Sequence, residues 1–185
     1  MGKKELTYNN IQKEAETFAA QYRKENDIPD LPSLKQTRKY KDVLHSEFAD
    51  VIDLVKQRLS LVESEGGHGF EHLEDVSTRA GYIADTECKF RHVSEELAHQ
   101  VIRKALLAGI LHDIERHRGF GEDHVIEGAK TARVILEKVG QVDETVITVV
   151  RNHDDMNYDT GNDLILSLVF GSIWDADHFR YGLER

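Results

Sequence analysis

The sequence predicts an all-α fold, a helical bundle around one core, and three observations carry that prediction. Apolar residues recur at steps of three and four in one segment after another. The only prolines, Pro29 and Pro32, lie near the start, so nothing downstream forces a helix to break. No segment shows a convincing period-two pattern that would let strands pair.

Taken in order, Ile11, Ala15, Phe18 and Tyr22 predict a short amphipathic helix. Pro29 and Pro32 bracket Asp30-Leu31 and end it, so residues 1–32 read as an N-terminal helix with a linker and residues 33–185 as the main domain. Leu44, Phe48, Val51, Val55, Leu59 and Val62 share one face and predict one long helix of about five turns, stopping near Gly66-Gly67. The next helix is expected over about residues 70–83. Ser94 with Glu95 and Glu96 forms an N-cap with acids in the first turn, opening a helix through Leu111. Gly119 and Gly121 then turn the chain. Further helices are expected over about residues 122–138, ending near Gly140, then 144–152 and 162–179. Residues 146–150 are β-branched, yet helix is preferred there because no partner strand is in view.

Composition narrows the function. With 34 acidic against 24 basic residues the formal charge is −10, which disfavours a grip on nucleic-acid backbone. A small anionic substrate would need local positive charge, which bound divalent cations supply. Cys88 is the single cysteine, so a disulfide framework and cysteine-rich zinc sites are excluded and a reducing cytoplasm is expected. The opening Met1-Gly2-Lys3-Lys4-Glu5 has no apolar signal core, and no run approaches the roughly 18 to 20 apolar residues of a membrane span. Neither export nor membrane insertion is expected; an oligomer is left open.

The chemistry emerges from asking which way each ligand-type residue faces. Val101, Ala105, Ala108 and His112 stand on one helical stripe, as do Leu166, Phe170, Ile173 and Asp177. His72 shares a face with Val76 and Ile83, His153 follows Val142, Val146 and Val149, and His124 sits with Gly128, Thr131 and Ile135. Five helices thus aim polar groups at one interior. A lone carboxylate there is costly, and a metal is one way to remove the cost. Any one histidine on such a stripe is usually a hydrogen-bonded core residue, and that reading is kept for His68, His92, His117 and His178.

In His72-Leu73-Glu74-Asp75-Val76, Leu111-His112-Asp113 and Asp175-Ala176-Asp177-His178-Phe179, the chain resembles the HD superfamily of metal-dependent phosphohydrolases over roughly residues 44 to 182. The resemblance implies an HD-domain bundle with His72, His112, Asp113 and Asp177 as metal ligands. Two-metal relatives add two histidines, and His124 and His153 fill those places, with Asp113 as the bridge. The ions implied are one or two of iron, manganese, cobalt, nickel or zinc, with magnesium also open. Asn152-His153-Asp154 lacks the further His-His and Gly-Tyr-Pro signature of the cyclic-dinucleotide phosphodiesterases, which argues against that branch. Asp75 stands where many relatives have arginine, and Arg79, one turn on, is the candidate replacement.

The activity implied is hydrolysis of a phosphate ester or anhydride in a small molecule, nucleotides first, by water that the metal acidifies. Asp113 and Glu115 are the candidate catalytic residues, Glu115 orienting water. Arg116, Arg118 and Arg79 are candidates for holding phosphate. The same ligand set also admits a di-iron oxygenase of the HD type, and the fold alone would also suit a noncatalytic scaffold.

Overall fold

The computed structural model describes residues 17, 18, 21, 25, 34–61, 69–116 and 123–178. The chain divides into two compact units, one of Ser33–Phe179 and one of Met1–Pro32 with Arg180–Arg185. In the second unit the described residues Thr17, Phe18, Gln21 and Glu25 are helical and exposed. The rest of the expected N-terminal helix lies outside the described residues.

The first unit is helical throughout, with no strand among the described residues: α1 Leu34–Glu47, α2 Ala49–Ser60, α3 Phe70–Phe90, α4 Glu95–Leu111, α5 Asp123–Lys138, α6 Glu144–Asn152 and α7 Leu164–His178. Residues 146–150 are helix, as expected, and Val146, Ile147, Val149 and Val150 are buried. Helix α4 is the centre of the bundle. It packs most extensively on α3 and also touches α1, α2, α6 and α7, while α3 packs on α7 and α5 on α6.

Helix α1 begins at Leu34, ten residues before the predicted stripe, and α2 ends at Ser60, short of Gly66-Gly67; two further boundaries also differ from expectation. The single long helix predicted across residues 44–62 is broken at Phe48, whose φ of −126° and ψ of 28° are not helical. The hydrogen bonds Phe48 N–H to Leu44 O (3.0 Å) and Ile52 N–H to Phe48 O (2.9 Å) run through the break, so the apolar stripe continues across it. Phe48 is buried and the Arg103 guanidinium lies over its ring, 4.9 Å from the centroid, with Arg103 also paired to Glu47. A tertiary partner on α4 thus holds the bend. The second difference is α3, which runs on to Phe90 rather than stopping near residue 83. Its end is a left-handed turn at His92 (φ 53°), where Val93 N–H bonds to Cys88 O at 2.9 Å. Glycine usually holds that position, so the stop carries no ordinary sequence signal.

Other ends follow the sequence. Ser94 Oγ accepts from Leu97 N–H, and Gly140 (φ 68°) closes α5 as Gln141 N–H reaches Leu136 O at 2.9 Å.

Helices α3 and α4 approach closely at Gly109. A Cβ added at Gly109 would lie 2.4 Å from Ser77 Cα and 2.8 Å from Ser77 N, and Ser77 Oγ donates to Leu106 O at 2.6 Å. The backbones meet there because glycine has no side chain to hold them apart. Gly128 is different: its nearest neighbours are His112 O at 3.6 Å and Val150 at 3.7 Å, which leaves room for a methyl group. Gly109→Ala should therefore destabilise the fold by about 1–3 kcal/mol in chemical denaturation. Gly171→Ala, in α7 with nothing within 4 Å, should be neutral or stabilising by up to about 1 kcal/mol. Equal effects at the two positions would contradict the packing described.

Candidate metal centre

Six polar side chains converge in the interior: His72 from α3, His112 and Asp113 from the end of α4, His124 from α5, His153 from the end of α6 and Asp177 from α7. All six are buried, His112 and Asp113 completely. The stripes that carry them are the ones read from the sequence, with Val101, Ala105, Ala108, Val146, Val149 and Ile173 fully covered. Val142, assigned to the α6 stripe, is instead exposed ahead of the helix.

The two carboxylate oxygens of Asp113 face different partners. Oδ2 lies 3.7 Å from His72 Nε2 and 3.6 Å from His112 Nε2. Asp177 Oδ1 closes this side at 3.5 Å from His72 Nε2 and 3.6 Å from His112 Nε2. On the other side Asp113 Oδ1 lies 3.2 Å from His153 Nε2 and 3.6 Å from His124 Nε2. The imidazoles stand nearly edge to face, with centroids 5.2 Å apart for His72 and His112, 5.1 Å for His112 and His153, and 5.5 Å for His124 and His153. These donors form groups that could hold a metal ion: His72 with His112 and Asp113, and Asp113 with His124 and His153.

The second nitrogens say which atoms point inward. His112 Nδ1 sits 2.8 Å from Gly109 O, and His153 Nδ1 sits 2.8 Å from Val150 O. A carbonyl can only accept, so each Nδ1 is the donor and each Nε2 faces the cluster, the tautomer a metal requires. His112 Nε2 is wholly buried and has no hydrogen-bond partner among the described residues. Such an atom fits a cation. Burial opposes a proton on His112, but the Asp113 and Asp177 carboxylates outweigh it and hold its pKa above the ordinary histidine value.

The cluster has a rim that the sequence reading missed. Asp154 Oδ2 lies 3.1 Å from His124 Nε2 and its Oδ1 3.7 Å from His153 Nε2, and the pairing with His124 keeps its carboxyl below the usual range. Asp154 also groups with His153 and Asp177 as potential ligands. Its position directly after His153 was the only signal available. Arg116 Nη1 reaches Asp113 Oδ1 at 3.4 Å and Asp154 Oδ2 at 3.6 Å, so this expected phosphate-holding residue does stand at the centre.

Other expected site residues are placed elsewhere. Glu115 Oε1 accepts from Arg58 (2.8 and 2.5 Å) and Thr131 (2.7 Å), which places this oxygen in a buried ion pair. Arg79 is buried on α3, its Nη2 3.8 Å from Asp75 Oδ2. Arg118, His68 and His117 lie outside the described residues. His92 is exposed at a helix end and not in the core. His178 also departs from a core role. It stacks on Trp174 with centroids 3.8 Å apart, and its Nε2 comes within 4.0 Å of Asp154.

No protein-family model, curated protein or solved structure matches this chain. The site therefore rests on its geometry.

For any metal ion taken up there, that geometry would set a pH dependence. Because the His112 pKa is raised, a proton occupies Nε2 to higher pH than on a free histidine, and a metal must displace it. Apparent affinity for Mn2+ or Co2+ should rise with pH and go on rising above the ordinary histidine range, with proton release on binding. Calorimetric titration in buffers of different ionisation enthalpy measures both; affinity independent of pH would be inconsistent with this site.

Proposed function

We propose that this chain is a metal-dependent phosphohydrolase of the HD type, acting on a phosphate ester or anhydride of a small molecule such as a nucleotide, in the cytoplasm. The observation that carries the reading is Asp113, whose two oxygens each face a separate pair of histidines. Two ions side by side would suit it, one held by His72, His112, Asp113 and Asp177, the other by Asp113, His124 and His153. Nitrogen and oxygen donors without thiolate suit iron, manganese, cobalt, nickel or zinc, with magnesium a weaker match.

Bound divalent ions would supply Lewis acidity and lower the pKa of coordinated water. The chain's own residues prepare the rest. Gly109 O and Val150 O fix two imidazole tautomers. Arg116 stands half-buried beside the donors, where a guanidinium can take a phosphoryl oxygen and offset an acidic chain's repulsion of an anion. Asp154, with one oxygen near His124 and the other near His153, is placed to accept a proton from water at the rim. The guanidinium favours a phosphorylated substrate over the neutral organic substrate of an oxidase.

Chelation should abolish phosphatase activity on a panel of nucleotides and sugar phosphates, and Mn2+ or Co2+ should restore it. Asp113→Ala should lose at least about 100-fold in kcat/KM, the upper end of what outer-shell changes alone cost. Arg116→Ala should raise KM more than it lowers kcat. Full activity in Asp113→Ala sinks the proposal. Two irons with oxygen consumption would assign the HD oxygenase chemistry instead, and metal uptake with no turnover would leave a scaffold.

A further inference from the structure

Two residues past Asp113, Glu115 is a buried carboxylate with three donors on one oxygen. Arg58, from the last turn of α2, contributes Nε at 2.8 Å and Nη2 at 2.5 Å, and Thr131 Oγ1 from α5 contributes the third at 2.7 Å. A buried carboxylate is retained only where its charge and lone pairs are met, and here the meeting residues belong to two other helices. Thr131 stands seven residues past His124 on α5, two turns along the same helical face. Glu115 thus bonds the turn that holds Asp113 to the helix that holds His124.

We propose that Glu115, with Arg58 and Thr131, is a positioning device for one side of the metal centre, setting His124 against Asp113 Oδ1. Selectivity follows from topology. His72 and Asp177 come from α3 and α7, to which the Arg58 and Thr131 bonds do not run, and His112, on the same turn as Glu115, is tied separately to Gly109 O, whereas His124 rides on α5 itself. The inference rests on the two-ion reading above and adds to it that the two positions depend on different supports.

The test is titration of the metal-free full chain with Co2+, followed by visible absorption and calorimetry, with urea denaturation run in parallel. Wild type should take up two ions. Thr131→Val keeps the shape of the side chain and removes the hydroxyl. It should retain one ion at wild-type affinity and weaken the other by about 10- to 100-fold, the range typical of lost outer-shell support. Thr131→Ser should restore the second ion. Glu115→Gln should weaken the same ion, and in the Thr131→Val background it should add less than it does alone. If Glu115→Gln does not fold, the Thr131 pair decides. Two ions in Thr131→Val at unchanged affinity, or both weakened together with stability, would overturn the positioning role and leave the two-ion reading standing. A wild type that binds a single ion would overturn both.

Discussion

A carboxylate taken wholly out of water is among the most expensive groups a protein can bury, and Asp113 is buried completely. Everything around it is arranged to meet that charge. Four imidazoles turn toward it, Arg116 reaches it from the rim, and Asp177 adds a second buried acid that raises the requirement for positive charge. Protons on the histidines can supply that charge, which is why the carboxylates hold the His112 pKa up. A metal ion in the same place would supply more of it. Proton and metal would then be rivals for one electrostatic task, with the stability of the interior tied to whichever of them is bound.

Bringing these groups together requires helices to approach closely and to end at the right level. Gly109 allows α4 to sit against Ser77 of α3, and its carbonyl, in the last turn of the helix, receives His112 Nδ1. One residue thus serves both the packing and the tautomer. At the end of α6, Val150 O does the same for His153. Both histidines exploit helix C-termini, where carbonyls lack intrahelical partners. The centre is consequently built at helix ends, with apolar stripes below it that anchor each ligand-bearing turn.

The far side of the centre is supported differently. His124 lies near the start of α5, in the first turn, where α5's own packing is least able to fix a side chain. The Glu115, Arg58 and Thr131 network and the Asp154 contact supply restraint there. A charged strut in the interior is costly as a source of stability but selective as a spacer, because its bonds are short and directional.

The sequence by itself determined the helical class, most helix ends and the six inward-facing donors. Each of these depends on local rules: the three-and-four period, the Ser94 cap, the left-handed turn at Gly140 and the placing of a polar residue on an apolar stripe. Tertiary structure alone decided the bend at Phe48, since an α4 arginine holds it, and the extension of α3 to Phe90, since His92 accepts a conformation that glycine normally signals. It also separated residues that look alike in sequence. Glu115 and Asp154 each follow a candidate ligand within two residues, yet Arg58 and Thr131 draw Glu115 into a strut while Asp154 reaches His124 at the rim. A periodic pattern reports which face a side chain occupies, but the charge it meets there comes from distant parts of the chain.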